Sequence, residues 1–399
     1  MNSLRNYLAF AISLTIGILL SACNDEPETP KGQPKEPGSR TVLVYIVADN
    51  NLGSSNNDYR DISEILLGAQ NGAVPADARL VLYHAPYAKN PVMVEIGKNF
   101  VDTIKTYSSD ILSIQSERML EVLDDLVKLR PSSQYGLILW SHATGWLQDG
   151  MEDSADTPST LSFGYQMART MNISTLANTL ASGPKLNFLY FDCCYMGSVE
   201  TLYQLRDIAP VMAGSPTELR AEGMPYHITL PYFFTPGTAD IEGAARETFN
   251  FYNELSGMER TCTMFVANTA GLERLARATA EIYAATPEAY PQDYAPQRFS
   301  NVPVSSCYYF DFAHYVQALC FDSDGNELFP NASDAYNEFS SALDGTIIYS
   351  AATPKLWDSV SLTHCCGLST YILMYPGAEQ KKNYYTLQWY TDVASLLNL

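Results

Sequence analysis

Apolar runs recur through the first half of the chain, at residues 41–48, 78–84, 135–140, 186–191 and 211–213. Their length, aromatic content and bounding turn residues predict strands buried on both faces. Segments with helical spacing lie between them. Residues 59–69, 174–180 and 198–208 read as helices. Residues 115–129 bring Met119, Leu120, Leu123, Leu126 and Val127 to one face of another. Residues 92–96 read as a short hairpin partner. Strands alternating with helices predict βαβ units and a mostly parallel sheet, an α/β fold. In the second half the spacing predicts helices over 249–256, 271–284 and 334–343. Strand-like runs cover 261–267 and 370–374, and a loop rich in Pro and Tyr covers 289–301. These elements are expected to pack beside the main sheet and shape its cleft.

The run 186–191 stops abruptly at Asp192-Cys193-Cys194. In an open α/β sheet the carboxyl ends of strands are where ligands and chemistry collect. A thiol just before a helix N-terminus has its thiolate favoured by the helix dipole. If the strand continues through this point, Asp192 and Cys194 share a face and Cys193 points the other way. The run 135–140 ends in the same manner, at Ser141-His142-Ala143-Thr144-Gly145-Trp146. A histidine and a cysteine thus close two buried strands, 52 residues apart. Together they offer a thiol nucleophile and its base. A core cysteine and a structural histidine are the plainer reading.

Three stretches carry a resemblance. FDCCYMGSVE resembles the nucleophile motif of the clostripain family of cysteine peptidases, roughly F-D-A-C-L-M-G. SHATGW resembles that family's histidine motif, S-H-G-x-G-W. YIVADNNL, from Tyr45 to Leu52, resembles its first strand with an A-D-N-N-L turn. Weaker matches fall at 213–218, 223–226 and 367–369. The His-then-Cys order and spacing also resemble the caspase arrangement. The resemblance covers residues 41–376. It implies a caspase-like α/β/α sandwich and cleavage after Arg and sometimes Lys.

The same resemblance assigns roles. His142 would be the base and Cys194 the nucleophile, since the family places the nucleophile two residues after the aspartate. Backbone N–H groups near Ala143, Gly145 and Cys194 would receive the oxyanion. Asp192 would read the basic side chain, Arg bidentately; capping of the following helix is its alternative role. Two positions depart from the family pattern. Ala143 stands where the family has glycine, and a positive φ there would carry a cost. Cys193 forms a vicinal pair with Cys194, and an oxidised pair would be inactive. Chain cleavage between the histidine and the cysteine can accompany activation in the family. Only Arg169 and Lys185 are basic in that interval, and Lys185 leads straight into a buried strand. Arg169 is therefore the candidate processing position, though no family processing motif surrounds it.

Residues 1–22 carry Arg5, an apolar stretch over 8–20 and the ending Leu20-Ser21-Ala22-Cys23. The stretch is short for a transmembrane helix and reads as a signal peptide. Its end resembles a bacterial lipobox, which implies cleavage before Cys23 and acylation of that thiol. An ordinary secretory signal is the alternative. Asn24-Asp25-Glu26 resembles the export signal of Bacteroidetes surface lipoproteins, which implies anchoring at the outer membrane and the cell surface. More than one acyl chain would be needed for stable anchoring. Residues 23–39 are Pro-rich and charged and read as a disordered tether. A caspase-like catalytic core is expected over 40–240, with further α+β elements packed on it over 241–399.

Composition narrows the partners. With 24 Lys and Arg against 44 Asp and Glu, the net charge is −20, which argues against nucleic acid. Such a surface serves solubility and would favour basic peptides. Residues 147–171 lack periodicity and carry Asp149, Glu152, Asp153 and Asp156. No EF-hand order of ligands is present. The segment reads as a solvated loop, no cofactor is expected, and calcium activation has no motif behind it. His364-Cys365-Cys366 lacks the second pair a zinc site needs and reads as buried strand-end packing. Seven cysteines remain after Cys23, so an odd count leaves at least one thiol free. His84, His227 and His314 have no local partner in the sequence. No G-x-S-x-G, HExxH or P-loop pattern occurs. Two readings result. One is a lipid-anchored cysteine endopeptidase cleaving after Arg or Lys. The other is a lipoprotein of the same fold that has lost activity and binds peptides or serves a surface complex.

Overall fold

The computed structural model describes residues 32–147, 162–287, 295–302, 307–373 and 382–397. In chain order its strands begin with β1 (Gly38–Val47), β2 (Arg79–Ala85), β3 (Val92–Gly97), β4 (Phe100–Thr106) and β5 (Ser132–Trp140). A separate hairpin, β6 (Phe163–Gln166) and β7 (Arg169–Met171), precedes β8 (Phe188–Asp192) and β9 (Val211–Gly214). Later come β10 (Thr263–Asn268), the short β11 (Phe310–Asp311) and β12 (Ile347–Ala352). Nine of them form one sheet in the order β12-β10-β9-β8-β5-β1-β2-β3-β4. The middle five, β9 to β2, pair in parallel. Both flanks are antiparallel. The parallel core follows from the crossovers, since consecutive parallel strands need a helix or long connection between them.

Among the described residues, the eight longer helices are α1 (Asn57–Gln70), α2 (Ser116–Leu129), α3 (Ile173–Ala181), α4 (Val199–Leu205), α5 (Ile241–Asn253), α6 (Leu272–Ala285), α7 (Phe312–Cys320) and α8 (Ala332–Thr346). They cover both faces of the sheet. The period of two along each strand divides the apolar residues between two cores. Leu43, Tyr45, Leu137, Leu139, Leu189 and Phe191 face α2, α3, α4 and α6. Val42, Val44, Ile138, Phe188 and Tyr190 face α1 and α5. Burial on both faces explains why these strands read as continuous apolar runs.

Several expectations are corrected. Residues 32–37 are not free tether. Gly32 N donates to Ile104 O at 3.0 Å, Lys35 N donates to Leu129 O at 3.2 Å, and the Lys35 ammonium pairs with Glu95 at 2.6 Å. The boundary at 240 is no break either, because β10 and β12 complete the sheet begun by the first half. The helix expected over 249–256 is Ile241–Asn253, started by Asp240, whose carboxylate accepts from Gly243 N at 2.8 Å. Of the strand expected over 370–374, Thr370 alone among the described residues is in a strand, Ser369–Thr370, which pairs with β11 rather than the main sheet. Helix α7 was hidden because it is short and mostly apolar, with only His314 and Gln317 marking its less buried side. Among the described residues, no helix is long and apolar enough to cross a membrane.

Glu200, in the first turn of α4, is fully buried. One of its oxygens accepts from Thr370 Oγ1 and Tyr371 N, both at 2.9 Å, and the other has no partner. Burial pushes its carboxyl up to about 7. The folded state therefore favours the neutral acid. This contribution is fully present below about 4.5, the ordinary value, and is lost as pH rises through about 7. Glu200→Gln is expected to raise the thermal midpoint at pH 8, by on the order of 5 °C, and to change it little at pH 5. Equal shifts at both pH values would contradict this account.

Candidate active site

β5 and β8 are neighbours, with Trp140 opposite Asp192. The two motifs therefore leave the sheet side by side. After Trp140, the Ser141 hydroxyl donates to Val47 O at 2.8 Å and ties the end of β5 to the end of β1. His142 then sits half-buried over the turn that follows β1, its Nε2 2.6 Å from Asn51 Oδ1. The amide oxygen is an acceptor only, so Nε2 carries the hydrogen and Nδ1 is left as the basic nitrogen. Burial lowers the pKa of the ring and favours its neutral form. Asn50 fixes the same turn, accepting from Leu52 N at 2.9 Å and donating to Tyr165 O at 2.9 Å. Tyr165 stands edge-on to the imidazole.

Beyond the histidine, Ala143 is buried and bridges to Phe163 on β6. It is not among the residues with positive φ, so alanine brings no backbone cost in this position. The left-handed residue is Gly145, at φ +62. A β-carbon there would meet Tyr195 O at 2.6 Å and Thr201 Oγ1 at 2.9 Å. Gly145 is thus the point where the histidine loop touches the turn that follows Cys194.

β8 stops at Asp192, and Tyr195 turns the chain sharply with φ +58. The Tyr195 ring stacks on Tyr309 at 4.3 Å, and its N–H donates to Thr217 O at 2.9 Å. The two adjacent cysteines have opposite fates. Cys193 is 2% exposed, and its thiol donates to Leu139 O at 2.9 Å. Cys194 is half-buried and meets the segment after β9, with Leu219 N donating to its Sγ at 3.3 Å. Burial, with Glu218 and Asp192 nearby, pushes the Cys194 thiol up to about 12. This corrects the expectation of a dipole-stabilised thiolate. Residues 195–198 separate the sulfur from α4, and Ser198 caps that helix. Desolvation therefore outweighs the helix dipole at this sulfur.

Asp192 does not cap α4. Its two oxygens accept from Met224 N at 3.0 and 3.1 Å. Burial holds its carboxyl above the usual carboxylate range. Asp192 and Cys194 thus both face residues 215–224, one at Met224 and the other at Leu219. Beneath Asp192 lies Asp61 of α1, fully buried and accepting from Trp140 Nε1 at 2.6 Å. Sequence reasoning gave no role to Asn51 or Asp61. Asp61 had a signal, since Asp58, Asp61, Ile62, Ile65 and Ala69 share one face of α1. Two acids on the apolar stripe of a helix call for a reason.

Other expected positions are spread out. Arg169 is exposed at the start of β7, after a turn through Met167 and Ala168 with φ 53 and 56. Cys23 and the acidic residues Asp149, Glu152, Asp153 and Asp156 lie outside the described residues. All seven described cysteines are free thiols. Among the described residues, no three His, Cys, Asp or Glu side chains gather as metal ligands. His364 is exposed rather than part of buried packing and stacks on His314 at 3.7 Å. His84 and His227 do have partners, Asp58 at 2.7 Å and Glu64 at 3.1 Å.

Comparison with known proteins bears on the family and the fold. The model of the clostripain family matches residues 44–395. Two solved structures are each 26% identical. One is a secreted C11 cysteine protease from Bacteroides thetaiotaomicron in complex with an irreversible peptide inhibitor. It covers 89% of this chain and 99% of its own, with a TM-score of 0.73. The other is an inactive zymogen C11 protease from Parabacteroides distasonis, covering 90% and 99%, with a TM-score of 0.72. A second secreted protease from Bacteroides thetaiotaomicron, at 22% identity and a TM-score of 0.75, shares the fold. No curated protein matches the chain. The fold is the caspase-like α/β sandwich of these proteases, and the chain belongs to the clostripain family of cysteine peptidases.

Proposed function

We propose that this peptidase cleaves after Arg, and after Lys, through a His142 and Cys194 pair, from a lipid anchor at Cys23. The carrying observation is the meeting of Cys194 and Asp192 under one segment, beside the loop that holds His142. Nδ1 of His142 takes the proton from the Cys194 thiol, and the sulfur attacks the scissile carbonyl. Backbone N–H groups near Ala143, Gly145 and Cys194 receive the oxyanion. The imidazolium then gives its proton to the leaving amine, and a thioester remains. Water, deprotonated by His142, releases the acid and frees the thiol. Asp192 pairs with the cation of the residue before the scissile bond, called P1 here.

The Leu219 contact supports a closed resting state, in which residues 219–224 step aside as the peptide enters. A relative solved as an inactive zymogen supports the same reading. Arg169 is the candidate for processing in such a step. The test is turnover of fluorogenic peptides ending in Arg, Lys, Asp and Leu, by the full chain in reductant, with and without calcium. Turnover after Arg and Lys alone is expected. Turnover after Leu or Asp would remove Asp192 from the reading. In the same preparation, Cys23→Ala is expected to leave the membrane fraction; an unchanged distribution would remove the anchor.

A further inference from the structure

We infer that Asp61 is a second carboxylate of the P1 pocket, sharing with Asp192 the recognition of a basic side chain. This rests on the basic-residue specificity proposed above. The two carboxylates face each other beside Gly223. A β-carbon built at Gly223 would stand 2.9 Å from Asp61 Oδ2 and 2.9 Å from Asp192 Oδ2. Gly223 also has φ +64, so its backbone and the space beside it both call for glycine. The segment that covers the pocket therefore leaves open the space between the two acids.

Among the described residues no cation is bonded to either acid, and the charge of Arg60 reaches Asp61 only from a distance. Asp61 Oδ1 is buried with no hydrogen-bond partner. The bases nearby are committed elsewhere: Arg60 lies 3.7 Å from Glu222, His84 pairs with Asp58, and His227 pairs with Glu64. No ion pair to Asp61 or Asp192 occurs among the described residues. The other groups facing them are Glu64 on α1, Trp140 on β5, Tyr226 after the covering segment and Tyr252 on α5. Two buried carboxylates with no cation cannot both ionise at ordinary cost, so the resting pair holds a proton. Burial, with Asp192 and Glu64 nearby, raises the Asp61 carboxyl well above its ordinary value. A guanidinium offers five donors in a plane and can engage two carboxylates at once. An ammonium offers three. Either supplies the missing positive charge.

The test compares kcat/KM for matched peptides with Arg, Lys or citrulline at P1, using the full chain and its Asp61→Asn and Asp192→Asn variants. Citrulline keeps the shape of arginine without its charge. Asp61→Asn is expected to lower kcat/KM for Arg and Lys at least tenfold, chiefly through KM, and to move citrulline less than threefold. Equal losses on Arg and citrulline would show a structural role and overturn the inference. An unchanged Arg value would also overturn it. If Asp61→Asn does not fold, Trp140→Phe removes the indole N–H that Asp61 accepts, together with part of the ring, while keeping both carboxylates. The Arg-to-citrulline ratio should then fall, and the acidic limb of the Arg profile should move to higher pH. An unchanged ratio and limb would overturn the inference. If the wild type does not prefer Arg over citrulline, the parent specificity fails and this inference with it. If Asp192→Asn abolishes the preference and Asp61→Asn does not, only the role of Asp61 fails.

Discussion

Alanine at Cys194 is expected to remove peptidase activity, lowering kcat by about ten-thousand-fold, while alanine at Cys193 is expected to leave most of it in place. Removing a nucleophile leaves only binding and oxyanion stabilisation. The neighbouring thiol cannot substitute. Cys193 Sγ lies in the core on the helix α2–α4 side of the sheet, bonded to Leu139 O. Cys194 is the thiol that meets the covering segment. The Cys193→Ala variant should lose some packing, worth about 1 kcal/mol, and show it as a slightly lower thermal midpoint. Steady-state kinetics of both variants checks the pair. Equal losses would contradict the division of roles.

Asparagine at Asp192 is the second large effect. It is expected to cut kcat/KM for Arg at P1 by roughly 100-fold to 4,000-fold, with far less change for a neutral P1 residue. Leaving a buried cation without its partner costs about 3–5 kcal/mol, which sets that range. The pH dependence follows the same group. Its carboxyl is held above the usual range by burial, so protons compete with the substrate cation as pH falls. The wild-type profile for Arg should therefore fall on its acidic side with a midpoint above that of an exposed aspartate. In Asp192→Asn that limb should weaken. An Arg profile unaffected by the substitution would place the P1 reader elsewhere.

How much of this was legible depended on whether the determinant was local. β1, β5 and β8 could be read because burial on both faces makes a strand an unbroken apolar run. His142 and Cys194 could be read because each directly follows such a run. The edge strands β4 and β12 escaped notice. Of their residues only Ile104 is buried, so no apolar run marks them, and their partners are set by tertiary pairing. Asn51 was visible as part of a turn, but its bond to His142 spans 91 positions and depends on β1 lying beside β5. Leu219 and Met224 act through their backbone groups, which no side-chain pattern announces. The expected effect of the helix dipole on Cys194 failed for a related reason. It took account of the helix and not of the segment that folds over the sulfur.

The central claim is that Cys194 is the nucleophile of an enzyme selective for basic P1 residues. An arginyl acyloxymethyl ketone, which alkylates an active-site thiolate, tests it directly. The full chain is incubated with the reagent in reductant, digested, and the adduct mapped by mass spectrometry. One adduct on Cys194, absent in His142→Ala and suppressed by competing Arg peptide, is the predicted result. An adduct on Cys193, or full turnover of Arg peptides with Cys194 unmodified, would contradict the account.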